Sequence, residues 1–429
     1  MPHGKPLRSG GIFISSPIDP LFFMGENPSL DTESHMTTEN SNLSTSSTIK
    51  FVLLLGMLSF FSDMVYEGAR SITGPFFALL GASGATVGFV AGFGEFAGNG
   101  LRIVSGYWVD RTEKYWFITF LGYACLLALP LLAFAKTWRI AAILIIIERI
   151  GKAIRTPARD AMLSYATQRI GRGVGFGIHQ VFDQIGGVIG PFIFTLVLLS
   201  QQNYQFGFKI LLLPACLTFI ILFFGKKLYP APQNLEIPTA QIINEKSSFT
   251  FSKSFWIYLC AACLLAAGYA DFPLIAFHFE KSSIISPVGV PIFYMVAMGV
   301  SAFSAILFGW IYDRFGLRSL LISIPLSALY APCVFLNGFK TALLGMILWG
   351  IGIGAQRSLL KAVVGDIVSK NKRGSAYGIF NAGYGVAWFL GSWLMGFLYD
   401  TSIHNVILFS VAAELSAIPF IFYLMKKLR

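Results

Sequence analysis

Charge is what this 429-residue sequence has little of: Asp, Glu, Lys and Arg make up 12 % of it, against 55 % apolar residues. Soluble domains carry about 25 % charged residues, so a chain this poor in charge, with 41 Phe, has apolar surface that only lipid accommodates. The formal net charge of +11 does not mark a nucleic-acid binder, because Lys and Arg come in short bursts between long apolar runs. Cysteine is scarce too. Cys125, Cys216, Cys260, Cys263 and Cys333 all fall inside apolar runs, where a thiol acts as a small hydrophobe. Cys260 and Cys263 form a CxxC without a second pair or a His at ligand spacing, so they are expected to be packing residues rather than metal ligands. No Gly-x-x-x-x-Gly-Lys-[Ser/Thr] loop offers ATP as an energy source, and no His-Glu-x-x-His offers zinc. Gly350-Ile-Gly352-Ile-Gly354 imitates a dinucleotide fingerprint, but no βαβ unit surrounds it, and close helix packing explains it. No cofactor and no enzymatic activity are expected.

What is present is a series of apolar stretches long enough to cross roughly 30 Å of hydrocarbon. They run over 51–80, 84–108, 116–135, 139–158, 173–199, 208–225, 254–277, 291–311, 319–337, 341–363, 375–398 and 404–425. The fold class expected is an all-α membrane protein of twelve transmembrane helices. Residues 1–49, rich in Ser, Thr, Asn and Pro, read as a disordered cytoplasmic tail. They contain no signal peptide, and Met24 and Met36 stand inside them as alternative starts. The domains expected after the tail are a six-helix half over 50–225, a cytoplasmic linker over 226–253 and a second six-helix half over 254–429.

Loop charge sets the orientation. One set of connections holds Arg111 and Lys114; Arg159, Arg169 and Arg172; Lys226, Lys227, Lys246 and Lys253; Arg314 and Arg318; Lys370, Lys372 and Arg373; and Lys426, Lys427 and Arg429. The opposite set holds only Lys136, Arg139, Lys209, Lys281 and Lys340. The asymmetry predicts both termini in the cytoplasm, in a cell (inner or plasma) membrane.

The two halves repeat one another. Gly106-Tyr-Trp-Val-Asp110-Arg111 is answered by Gly309-Trp-Ile-Tyr-Asp313-Arg314 at an offset of 203 residues. Arg155 and Arg159 are answered by Arg357 and Lys361 at 202, and Arg172-Gly173 through Gly177 by Arg373-Gly374 through Gly378 at 201. Duplicated halves of this kind are what secondary transporters use to alternate access around a central site. At this point the chain, from residue 51 onward, closely resembles the major facilitator superfamily. The resemblance rests on that family's loop signature G-x-x-x-D-R-x-x-[RK], which reads Gly106, Asp110, Arg111 and Lys114 here. A degenerate copy carries Asp313 and Arg314, with Arg318 one place late. Gly186-x-x-x-Gly190-Pro191 is similar to the Gly-Pro motif common in the family's antiporters. The resemblance implies that the signature loops gate, clamping neighbouring helices across the halves, and that the third helix of each triplet faces lipid. A conformational ion-pair network is expected of Arg155, Arg159 and Asp160, which look like part of a bacterial branch of unassigned substrate.

Ionisable side chains in hydrocarbon are costly and mark pathways, cavities or internal pairs. Spans three, six and nine carry none away from their ends. The others carry them on single faces: Asp63, Glu67 and Arg70 at i, i+4 and i+7; Glu95, Asn99 and Arg102 likewise; Glu148, Lys152 and Arg155 likewise; and His179 and Asp183 at i, i+4. The candidate substrate and proton pathway is therefore Asp63, Glu67, Arg70, Glu95, Arg102, Glu148, Arg149, His179 and Asp183, with Asp271 a weaker member. Glu67 and Arg70 also have a bland reading as a local pair. Glu414 and His278 are read as local or interfacial. Glu148 and Arg149 are expected to approach Asp183, since consecutive helices are usually neighbours. The reading that follows is a monomeric secondary transporter of a small solute, proton-coupled, with export slightly favoured over import. Its expected partners are the bilayer, the solute and protons. The rival is a transporter-like sensor or scaffold without net transport.

Overall fold

The computed structural model describes residues 29–201, 203–235, 251–336, 338–368 and 373–427. Residues 1–28 of the expected tail, 236–250 of the expected linker, and the loop cations Lys246, Lys370, Lys372 and Arg429 lie outside them. Twelve helical segments follow one another in the described residues, with no strand among them. They are α1 (Ser29–Leu79), α2 (Gly84–Thr112), α3 (Tyr115–Phe134), α4 (Trp138–Ile170), α5 (Arg172–Gln201) and α6 (Tyr204–Leu228) in the first half. The second half contributes α7 (Lys253–Ser282), α8 (Gly289–Phe315), α9 (Arg318–Phe335), α10 (Phe339–Ile367), α11 (Arg373–Thr401) and α12 (Ile403–Lys427). Residues 29–49, expected to be disordered, are instead helical as the start of α1. The body of the molecule lies within Thr45–Arg429.

Local signals place the boundaries. Ser83, Thr137, Asn203 and Ser252 each turn a side-chain oxygen onto a first-turn amide of the helix that follows, the N-cap arrangement of short polar residues. Nine segments are long and apolar enough to cross a membrane by composition. The other three, α2, α4 and α11, run 29, 33 and 29 residues. They carry polar and glycine-rich faces inward, while side chains such as Val104, Ile143 and Phe397 leave each of them an exposed apolar face. Burial follows the same logic. The most apolar stretch of α7 is 78 % buried and that of α12 28 %, so α7 is a central helix and α12 a peripheral one.

Helix α7 is broken at Tyr269–Asp271. A break in hydrocarbon is tolerated only where protein satisfies the freed backbone groups. Here the Ala270 amide donates to the Tyr330 hydroxyl at 2.6 Å, the Trp349 indole donates to the Ala270 carbonyl at 3.0 Å, and Tyr330 donates to the Gly268 carbonyl at 3.1 Å. The broken turn presents Asp271 at the head of the second half-helix, with Pro273 in its first turn. Gly268 and Pro273 are the local cause.

The halves meet tightly at one end. A Cβ on Gly74 of α1 would strike the Pro273 carbonyl and the Phe277 amide of α7, and one on Gly88 of α2 would strike the Ser392 carbonyl of α11. The α2 amides of Gly84 and Ala85 donate to the two carboxylate oxygens of Asp400 of α11, at 2.7 and 2.8 Å. Phe277 joins the hydrophobic core of the first half. Towards the end bearing the loop signature the halves part, and around Gly98 of α2 and Gly378 of α11 there is open space.

Candidate functional site

Between the halves lies a cavity of about 240 Å³, lined by Arg70, Glu95, Asn99 and Arg102 of the first half and by residues of α10 and α11 in the second, among them Gln356, Arg357, Lys361, Tyr384 and Trp388. Its roof, on the closed side, is a buried ionic network. The Arg70 guanidinium donates to Asp271 at 2.6 Å and lies 3.7 Å from Glu95. Arg70 is 8 % exposed and Asp271 1 %. Both charges have left water, a cost that only a short, well-formed contact offsets. The second Asp271 oxygen accepts from the Trp388 indole at 3.4 Å. Alongside, the Tyr294 hydroxyl of α8 donates to Glu67 of α1. The halves are thus joined at mid-depth by two polar links, one ionic.

Glu95 also takes Arg149 at 3.1 Å, so one carboxylate is shared by two cations. Arg149 and Lys152 both sit over the Tyr66 ring, at 4.5 and 3.7 Å from its centre, where the ring's negative face attracts them. Lower on α4, Arg155 pairs with Glu148 at 3.1 Å and reaches the Gly122 carbonyl and the Tyr123 ring. A second chain runs along the first half. Arg159 binds Asp160 at 2.9 Å and donates to Ser59, whose hydroxyl meets His179 Nε2 at 2.9 Å, and the other ring nitrogen lies 3.4 Å from Asp183. Asp63 hydrogen-bonds no described residue.

These partners differ from the expected ones in several respects. Arg149 and Glu148 do not approach Asp183; helix rotation turns Arg149 towards α2 and leaves Glu148 on the face of Arg155. Arg70 does not pair with Glu67 on its own helix, because Asp271 comes closer from across the interface. Asp271, the weaker candidate, is the most buried acid of the roof. Glu414 and His278 are not interfacial. Both are 0 % exposed, because α12 turns Ser410, Glu414 and Ala417 inward, and His278 meets the Tyr399 hydroxyl at 3.1 Å. The loop-signature residues Asp110, Arg111 and Lys114, and the copy Asp313 and Arg314, are exposed and form no ion pair among the described residues. Arg111 and Arg314 instead lie over Tyr107 and Trp310. Gly106 has room around it. Gly186 and Gly190, with Pro191 next, let α5 lie against α1: a Cβ at Gly186 would press on Phe60 and one at Gly190 on Gly68. Sequence reasoning did not place Tyr294, Gln356, Tyr384 or Trp388 in the site. It had matched Arg357 and Lys361 to Arg155 and Arg159 through the repeat, and that correspondence was the signal available.

The comparisons agree with this architecture. The sequence model of the Major Facilitator Superfamily matches residues 52–354 and 317–428. An uncharacterized protein of Mycobacterium tuberculosis is 37 % identical over 377 residues, covering 87 % of this chain and 92 % of that one. An uncharacterized transporter of the same type from Methanocaldococcus jannaschii is 31 % identical over 386 residues, with 87 % and 94 % covered. Among solved structures, a bacterial homolog of the human lysosomal transporter Spinster superposes with a TM-score of 0.73 at 17 % identity, covering 89 % and 97 %. The nucleoside transporter NupG superposes with a TM-score of 0.68 at 18 % identity, covering 88 % and 99 %. At those identities the likeness is one of fold.

Proposed function

The chain belongs to the major facilitator superfamily, and on that premise we propose that it moves a small solute across the membrane by proton-coupled alternating access. The observation that carries the reading is the position of the cavity. It lies between the halves, closed at one end by contacts that cross the interface and open where the halves part. A seal made of an ion pair and close glycine contacts has two arrangements available, joined or parted, which is what rocking halves require. A sensor without net transport has no need of so many buried charges around a solute-sized space, and their cost favours the transport reading.

Proton coupling rests on Glu95. It lines the cavity, is 23 % exposed, and is held by Arg149 and Arg70. Protonation would free Arg149 and leave Arg70, the residue that links the halves, with Asp271 as its one ion-pair partner. Glu95 is therefore a stronger coupling acid than Asp183, which lies behind His179 in the first half. In the proposed orientation, with both termini in the cytoplasm of a plasma or inner membrane, the cavity opens inward. Gly190-Pro191 supports export, and the chain acts as a monomer.

Reconstitution in proteoliposomes with an imposed pH gradient tests this. The wild type should accumulate or extrude its solute with the gradient. Glu95→Gln should keep exchange while losing at least tenfold in gradient-driven accumulation. Full accumulation by folded variants at Glu95, Asp63, Glu148 and Asp183 would remove proton coupling through these acids.

A further inference from the structure

The cations of the two halves are not balanced alike. In the first half Arg155 has Glu148 at 3.1 Å and Arg159 has Asp160 at 2.9 Å. Their repeat-mates on α10, Arg357 and Lys361, line the cavity. At the same offset of 202, the positions answering Glu148 and Asp160 hold Gly350 and Ala362. The second half has the cations without either counter-ion. On the facing wall, Arg102 of α2 forms no ion pair among the described residues, and its buried Nε has no hydrogen-bond partner.

No carboxylate forms an ion pair with them among the described residues, and Asp160, the acid whose charge reaches Arg102 and Lys361, is bound to Arg159. Glu95 lines the cavity but is taken by Arg149 and Arg70, and Asp271 is taken by Arg70. Asp160 is 43 % exposed and held by Arg159, and Asp366 accepts from Tyr312. Three cations from two halves thus face one space, Arg102 half-buried and Arg357 and Lys361 exposed to the cavity, and repel one another. Such a cluster is unfavourable when empty and is relieved by one mobile anion. The rest of the wall is of another kind, with Phe380, Tyr384 and Trp388 of α11 beside Ile353 and Leu360.

We propose that the solute is a small organic anion. Its acidic group is held by Arg102, Arg357 and Lys361, and its apolar body lies against the aromatic wall of α11. The assignment rests on the transport reading above and narrows it to a substrate class. A cavity of about 240 Å³ is smaller than the roughly 300–1,000 Å³ of sites for drug-sized ligands, so the body is of about the size of one ring. Because the cations come from both halves, the anion neutralises a repulsion across the interface and favours the closure of the open end around itself.

The test uses the purified full-length protein in detergent, with benzoate and phenyl phosphate as anionic probes and benzamide and benzylamine as neutral and cationic isosteres. Binding is followed by thermal shift and by tryptophan fluorescence, since Trp388 lies in the wall. At least one anion should saturate, and the two isosteres should bind at least tenfold more weakly. Arg357→Gln and Lys361→Gln should each weaken anion binding about tenfold, as the loss of one charged hydrogen bond implies. Arg357→Lys should retain most of it, and Lys426→Gln on the exposed end of α12 should change nothing. Comparing the unliganded melting temperatures separates lost binding from lost folding. The assignment is overturned if the amide or amine binds as tightly as the anions, if neither anion saturates, or if the folded Gln variants bind like the wild type. Proteoliposome uptake is scored separately. Uptake of neutral or cationic solutes alone overturns the anion assignment and leaves transport standing, whereas uptake of no solute overturns transport itself.

Discussion

Replacing Asp271 with Asn tests whether the roof of the cavity is a seal with two states. The contact it removes is short, 2.6 Å, between groups 8 % and 1 % exposed. At an effective dielectric of about 20, two unit charges at that separation attract by about 6 kcal/mol. Desolvation of both groups offsets part of this, and Glu95 at 3.7 Å remains as a partner for Arg70. The net loss is about 3 kcal/mol, at the low end of the range for breaking a buried pair. The pair exists only while the two halves touch at this end. Its loss is therefore borne by the present conformation and not by one in which the end has opened. A penalty of about 3 kcal/mol moves the ratio of the two states roughly a hundredfold, enough to turn a minor state into the dominant one. The assay is a spin-label distance across the closed end, between Ser83→Cys in the first half and Ser286→Cys in the second, both exposed, with the exposed Cys216 and Cys260 replaced. The parent should give a short distance, and Asp271→Asn a longer one at undiminished yield of folded protein. An unchanged distribution in a well-folded variant would refute the reasoning, and Arg70–Asp271 would then be a static strut.

Two further outcomes bear on the same architecture. Gly88→Val should also lengthen the Ser83–Ser286 distance, because its Cβ would meet the Ser392 carbonyl and lie 3.1 Å from the Gly396 Cα, an overpacking cost of about 1–3 kcal/mol; an unaltered distance would show that α2 and α11 tolerate separation without opening. A reporter active only in the cytoplasm, fused after Lys227 and after Arg429, should be active at both sites, and inactivity at either would reverse or break the proposed orientation.

Much of this molecule is decided by constraints that act along the chain. Lipid requires each crossing segment to be apolar and to satisfy its own backbone, so the run from Phe51 to Leu80, or from Pro291 to Ile311, announces a helix before any tertiary contact is known. Duplication leaves its mark in matching residues, as Asp110-Arg111 and Asp313-Arg314 show. The charged residues that sit in the helices were also visible, since Glu95 or Arg149 within an apolar run stands out wherever it points.

Which charge meets which was not legible, because partner choice depends on helix rotation and on contacts between halves more than two hundred residues apart. Spacing within a helix left a local Glu67–Arg70 pair open as one reading, but Asp271 wins by approaching to 2.6 Å from α7. It can do so because α7 breaks there, and the break survives because Tyr330 and Trp349, from two other helices, occupy the freed backbone groups. The same holds for Glu414, which the sequence left as local or interfacial and which packing turned fully inward. Sequence alone determined that this is a two-half bundle of membrane helices carrying charge at mid-depth, since burial in lipid is a local requirement. Only the tertiary structure decided that Arg70, Asp271 and Glu95 close a cavity while Arg102, Arg357 and Lys361 face into it, since Coulomb attraction and packing act through space without regard to the order of the chain.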